Sequence, residues 1–305
     1  MWFSLSLLAL VMLVARRSTE KKVSKAIDSM TLGWLQQLVA IPFIIVSLFF
    51  ARFYLPTEVS TNFWYIMAIY VACTAVDLFC YFKALSLADV SYVAPLLSLI
   101  AVGNIVGAYF VLGQSPTIFG VAGALAIITG AYIINHAKMR EKQHRKNNML
   151  ALLLVLVLVV IRGYYSNIEL FMLREVNPTT FNFYSSVLTV PLMLFFAVVF
   201  HKVKQRRNAK TDNSAPIKYI AHTLTAVKNH VWPLVFIGLT YTINLTATYQ
   251  AKLLSPNAGY VGAIKSSQVL PMVLIGAFFF REKINNQQWF GVAIIALGLI
   301  GLSMN

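Results

Sequence analysis

The sequence predicts an all-α integral membrane fold of ten transmembrane helices, arranged as two inverted five-helix repeats. Three observations carry this: a scarcity of charge, ten apolar runs, and an ordered self-similarity between the halves of the chain. Of 305 residues, 59% are hydrophobic and only 11% charged, with a mean hydropathy of +0.72. A soluble domain carries about a quarter charged residues, so a chain with less than half that share cannot cover a water-facing surface. Its solvent is lipid.

Bilayer-spanning helices need about 20 mostly apolar residues. The first run, 2–15, is short by that rule, but nothing basic precedes it and no small-residue cleavage site follows, so it reads as a retained span. Runs at 31–51, 63–82, 90–112 and 117–136 complete one half, and 149–172, 179–200, 232–251, 258–280 and 288–304 make the other. Pro42, Pro95, Gly103, Gly107, Pro191 and Pro271 fall inside runs, as membrane helices tolerate. Cys73 and Cys80 share one span, seven residues or roughly 10 Å apart by helical rise, too far for a disulfide.

The halves are related by an internal repeat. SMTLGWLQQLVAIP at 29–42 aligns with PTTFNFYSSVLTVP at 178–191, an offset of 149. Trp64, Tyr81, Tyr92, Val93, Ser98 and Phe110 meet Trp232, Tyr249, Tyr260, Val261, Ser266 and Phe278 at an offset of 168. Gly120-Val121-Ala122 and Gly130 meet Gly291-Val292-Ala293 and Gly301 at 171. The predicted units are 1–137 and 149–305, joined by a basic linker at 138–148. The jump in offset places an insertion in 201–230, a basic, disordered-looking stretch followed by a segment whose Ile217, Ile220, Leu224 and Val227 repeat at helical spacing. That segment reads as an interfacial helix, or as a solvated linker.

The net charge of +15 raises nucleic acid as a partner, but the basic residues are scattered through short connections and offer phosphates no continuous face. Odd-numbered connections hold 20 Lys and Arg, even-numbered ones only Arg52, Arg174 and Lys252. The positive-inside rule puts the odd connections in the cytoplasm and both termini outside. Five spans per half, an odd number, then invert one half relative to the other.

Residues 84–135 (ALSLADVSYVAPLLSLIAVGNIVGAYFVLGQSPTIFGVAGALAIITGAYIIN) and 259–302 (GYVGAIKSSQVLPMVLIGAFFFREKINNQQWFGVAIIALGLIGL) resemble the third-to-fifth span regions of EamA-type proteins of the drug/metabolite transporter superfamily. The cues are the turns Gly113-Gln114 and Arg281-Glu282-Lys283 after each fourth span and the Gly-rich fifth spans. The resemblance implies a ten-helix inverted repeat, a central cavity, and alternating-access transport of small solutes. Gln114 stands where such relatives carry an acidic residue, which weakens a role for that turn. The resemblance also implies cytoplasmic termini, opposite to the charge count.

A charged side chain in a bilayer core costs at least about 2.5–3.5 kcal/mol, so intramembrane charges mark candidate sites. Four occur: Asp77, Arg162, Glu169 and Lys265. By helical rise Arg162 lies roughly 20 Å from the inner end of its span and Lys265 ~12 Å from the outer end, a shared level. Asp77 comes out roughly 10 Å deeper than Lys265, too deep to pair with either cation, and Glu169 near the outer rim. Arg162 and Lys265 are expected to meet an anionic group of a solute; the competing reading is an internal ion pair in which Asp77 or Glu169 neutralises a cation to fix helix packing, with Asp77 alternatively snorkelling towards Lys83 and the inner interface. Helical spacing adds Gln268 to Lys265, Tyr165 to Arg162, and Tyr81 to Asp77, while Asn104 shares the face equivalent to Lys265. The predicted substrate-binding set is therefore Lys265, Arg162, Gln268, Asp77, Tyr81, Asn104 and Tyr165. Tyr92 and Tyr260 read as interface anchors.

No metal or cofactor is expected. The five histidines lack metal-ligand spacing, no GxxxxGK[ST] loop occurs, and nothing places a histidine base within a span. The expected function is secondary transport of a small polar metabolite with an anionic group, of amino-acid or organic-acid kind, across the cytoplasmic membrane. Two alternatives stand beside it: a carrier or flippase for phosphorylated compounds such as lipid-linked or nucleotide sugars, and a non-transporting docking protein acting through 201–230. The expected partners are the solute and the lipid bilayer, with a proton or sodium as coupling ion and a monomer or homodimer as the assembly.

Overall fold

The computed structural model describes residues 1–23, 27, 29–87, 97, 99–139, 145–207, 227–268, 270–271 and 286–304. Among these lie ten α-helices: α1 (Trp2–Val23), α2 (Ser29–Leu48), α3 (Thr61–Leu87), α4 (Ile100–Leu112), α5 (Ile118–Met139), α6 (Arg145–Leu173), α7 (Pro178–Arg207), α8 (Val231–Leu254), α9 (Ala258–Ser266) and α10 (Asn286–Ser303). Six (α1, α2, α3, α6, α7 and α8) contain a stretch long and apolar enough to cross a membrane; α4, α5 and α10 offer shorter apolar stretches. Tyr92, the Arg281-Glu282-Lys283 turn and most of the proposed interfacial helix lie outside the described residues.

Several helices outrun the apolar runs that announce them. α1 continues eight residues past the first apolar run, to Val23, carrying Arg16, Arg17 and Glu20 on its last turns. α5 and α6 both extend into the basic linker, and α7 carries helix to Arg207 through residues expected to be disordered. Lys and Arg are good helix formers, so a polar composition did not end these helices at the membrane surface.

The packing exchanges the halves. α1 lies on α8 as α6 lies on α3, and α4 lies on α6 as α9 lies on α1. α2, α4 and α5 each meet their own counterparts, α7, α9 and α10. A two-fold relation between the repeats produces this pattern, and the odd number of helices per half makes it an inverted repeat. Glycines set the closest approach. A Cβ on Gly123 would sit 2.7 Å from the Gly298 carbonyl and one on Gly298 2.7 Å from that of Gly123, while Gly130 faces Gly291 at 2.6 Å. Small residues let membrane helices pack backbone to backbone; Gly123, Gly130, Gly291 and Gly298 serve that purpose, while Gly120 leaves room for the Tyr260 side chain.

Turns are fixed by side chains. Gly113 ends α4 at φ 66°, the left-handed region that favours glycine. Gln114 then reaches the other half: its Oε1 accepts from the Ala258 backbone N–H at 2.9 Å, its carbonyl accepts from Asn257 Nδ2, and Asn257 caps α9. The glutamine has a structural place in this turn: its amide oxygen satisfies an orphan donor at the α9 N-terminus. At this same end of the bundle Glu175 binds Ser60 through its hydroxyl and its N–H, and Tyr184 donates to the Tyr54 carbonyl at 2.6 Å. Glu58 accepts from the Leu55 N–H and from Arg52; the backbone bond first, and Arg52 after it, hold its carboxyl below the usual range. Phe53, Phe63, Trp64, Phe181, Phe183 and Tyr184 pack beneath this network.

α9 is where the ninth run departs from a single rod. Helix stops at Ser266, with a turn at Ser267–Gln268 and helical residues again at 270–271. Pro271 has no N–H for the Ser267 carbonyl, and its ring crowds that same oxygen. The Leu270 N–H takes the carbonyl instead, at 2.9 Å, and Ser267 Oγ donates to the Ile264 carbonyl at 2.7 Å.

Candidate functional site

Charged side chains converge in the bundle interior from α1, α3, α6, α8 and α9. On α3, Asp77 is buried and accepts two bonds from Arg162 of α6, Nε to Oδ1 at 2.8 Å and Nη2 to Oδ2 at 2.6 Å. The pair is bidentate, the strongest kind of arrangement a guanidinium and carboxylate can make. The expectation that Asp77 lies too deep for Arg162, or reaches towards Lys83, is thereby corrected. Rod-like depths ignore that Cα–Cβ bonds tilt towards a helix's own N-terminus. α3 and α6 run antiparallel, so Asp77 leans one way, Arg162 the other, and the gap closes. Arg162 is thus paired with a carboxylate inside the protein, as the ion-pair reading has it.

A second pair joins Glu169 of α6 to Lys252 of α8, both buried, with Lys252 also donating to the Ser166 carbonyl. Lys252 reads from the sequence as a loop residue, because it lies one position beyond its apolar run. Its four-residue spacing from Thr248, on one face, was the available signal. A third pair, Arg16–Glu20 at 3.2 Å, lies within α1, and the Arg16 guanidinium stacks 5.1 Å from the Tyr241 ring centroid. The i,i+4 opposition of Arg16 and Glu20 could have extended α1 past residue 15.

Two interior cations have no carboxylate in salt-bridge contact among the described residues. Arg17 donates through Nη1 to the Tyr81 hydroxyl and stacks 5.0 Å from its ring centroid, while its buried Nε has no hydrogen-bond partner. Lys265 donates to Thr248 Oγ1 at 3.1 Å. It lies within electrostatic reach of Lys252, Arg16 and Arg162 as well as Glu169. Gln268, just past the α9 break, keeps a buried Oε1 with no partner.

The remaining expected residues take structural places. Tyr165 packs edge-on against Tyr70, with centroids 5.4 Å apart, and Tyr70 faces the Tyr249 hydroxyl at 3.3 Å. Asn104 is buried between helices: Ser166 donates to its Oδ1 at 2.8 Å and Asn167 to its carbonyl at 3.0 Å. Tyr260 is not an interface anchor. It is buried, and its hydroxyl accepts from the Thr117 N–H at 2.7 Å. α6 is thus the hub, contributing Arg162, Tyr165, Ser166, Asn167 and Glu169. A surface cavity of about 450 Å³ lined by Tyr132, Ile133, Asn286, Gln287 and Phe290 belongs to α5 and α10, which supply none of the interior charges.

The repeat shows where symmetry breaks. Lys265 and Thr248 correspond to Leu97 and Cys80 at the 168-residue offset. In the first half Leu97 packs on an apolar cluster holding Cys80, Ile100 and Leu158. The same two positions in the second half hold a cation and a hydroxyl.

A polytopic helical membrane protein with an inverted repeat and a charged interior is the class these features define. The sequence matches the EamA-like transporter family over residues 1–136 and again over 149–304, and the chain belongs to that family. A solved structure described as "Crystal structure of protein" superposes with a TM-score of 0.69 at 14% identity, covering 99% of this chain and 96% of that one, which shows a shared fold. No curated protein matches the sequence.

Proposed function

We propose that this membrane transporter carries a small polar metabolite with an anionic group, of amino-acid or organic-acid kind, by alternating access between its two repeats. The observation that carries the reading is Lys265. Among the described residues every interior carboxylate is engaged by another cation, so Lys265 makes no salt bridge there and donates instead to a hydroxyl. A cation held in a membrane at a cost of several kcal/mol, opposite an apolar leucine in the other repeat, is suited to one end of an asymmetric solute. The neighbouring break in α9 supports this role, since interrupted helices leave backbone and side-chain polar groups for ligands.

Reconstituted proteoliposomes exposed to a mixed metabolite pool test the reading. Selective accumulation of anionic metabolites over neutral ones of similar size is expected. Accumulation of neutral or cationic solutes alone would contradict it.

A further inference from the structure

The cavity of about 450 Å³ between α5 and α10 lies apart from the interior charges, and its origin is the way these two helices part. They touch backbone to backbone as far as Gly130 and Gly291, where a Cβ on Gly130 would meet the Gly291 carbonyl at 2.6 Å. Just beyond, the two helices carry Tyr132, Ile133 and Phe290, and side chains of that size cannot continue so close a crossing. The gap they leave is the cavity. Because α5 ends the first repeat and α10 the second, it is shared between the halves.

The apolar stretch of α5 ends at Ile133 and that of α10 begins at Trp289. The cavity therefore straddles the level at which both helices leave hydrocarbon, with Ile133 and Phe290 on the apolar side and the amides of Asn286 and Gln287 on the polar side. Tyr132 and Trp289 are exposed at this level, as aromatic residues are at a membrane–water boundary. The chain beyond each wall is basic in sequence. Residues 138–148, which follow the α5 wall, carry five Lys and Arg against one Glu, and Arg281 and Lys283 precede the α10 wall with Glu282 between them. Towards the membrane centre, Leu125 and Leu297 are exposed two turns from Tyr132 and Phe290, on the same helix faces.

We propose that the α5–α10 cavity binds the headgroup of an anionic phospholipid. The two amides and the tyrosine hydroxyl offer donors to phosphate and ester oxygens. The basic flanks supply the attraction that selects an anionic headgroup over a zwitterionic one. The acyl chains follow the apolar side, past Leu125 and Leu297. Inorganic phosphate would meet only the polar half of this lining.

Thermal unfolding of the full-length protein in detergent micelles tests this, with phosphatidylglycerol, phosphatidylcholine or inorganic phosphate added in turn. Phosphatidylglycerol is expected to raise the unfolding temperature saturably, and the other two to have little effect. Gln287 is exposed, so charge is introduced there without disturbing the core. Q287E should raise the half-saturating phosphatidylglycerol fraction about fivefold, the weight of one charge at a membrane surface. Q287K should lower it by a similar factor, a readout that survives if Q287E fails to fold. K228E alters an exposed residue of the 201–230 connection, outside the cavity lining, and should shift it less than Q287E does. Equal stabilisation by phosphatidylcholine or by inorganic phosphate would overturn the proposal. So would an unchanged half-saturating fraction in the Gln287 variants, or a shift in K228E as large as in Q287E, which marks general surface attraction.

Discussion

Asp77 and Lys265 carry intramembrane charges of opposite sign and opposite structural meaning. Asp77 is locked to Arg162 by two short bonds, so removing one partner strands a buried charge. Asp77→Asn is expected to destabilise the protein by about 3–5 kcal/mol, read as a lowered unfolding temperature in detergent. Asp77→Leu combined with Arg162→Leu should recover most of that loss, because the cost lies in the unpaired charge. A double variant no more stable than Asp77→Asn would show that the pair does not set this site's stability. The sequence disclosed which span residues were charged, since charge in an apolar run is conspicuous. It did not disclose the pairing, which depends on side-chain lean and on helix adjacency.

At the scale of the helix, α5 and α10 cross through glycines whose absent Cβ atoms leave room for the facing carbonyls. Gly298→Val would place branched carbons where the Gly123 carbonyl lies 2.7 Å from the ideal Cβ position. An overpacking cost of about 1–3 kcal/mol is expected. Cysteine cross-linking between α5 and α10 in the membrane should lose efficiency in Gly298→Val and keep it in Gly298→Ala to a greater degree. Equal cross-linking in all three would contradict the close crossing. The repeat made only part of this crossing legible: it pairs Gly130 and Gly291 with other glycines, whereas Gly123 and Gly298 fall opposite Ile294 and Ile127 at the same offset. Helix ends were less legible. α1 keeps Arg16 and Arg17 within its helical length and α8 keeps Lys252, since interior partners replace the water that such residues normally seek. The α9 break at Ser267 was readable in part: Pro271 marks it, but membrane helices also tolerate proline without breaking.

For the whole molecule, the interior positions of Arg16, Arg17 and Lys252 change the charge count behind the orientation. Removing two residues from the 20 on one side and one from the three on the other leaves 18 against two, so the asymmetry grows. We propose that the odd connections face the cytoplasm. In a background lacking Cys73 and Cys80, cysteines at Asn148 and Asn213 are expected to escape an impermeant thiol reagent added to intact cells. Labelling of both would reverse the orientation. The bundle's plan of apolar helices in two repeats, by contrast, was legible, because the apolar runs and an ordered repeat permit few other arrangements. The interior charge balance was not, as it is a property of all five contributing helices at once.

The central claim is that Lys265 binds the anionic end of a transported solute, and uptake by proteoliposomes carrying Lys265→Met tests it most directly. Methionine keeps length and apolar bulk while removing the charge, and no carboxylate among the described residues loses a salt bridge, so the variant should fold and unfold near the wild-type temperature. Anion uptake should fall to the level of empty liposomes, and Lys265→Arg should retain part of it, because charge survives while geometry changes. A folded Lys265→Met protein that accumulates anions at the wild-type rate would contradict the account.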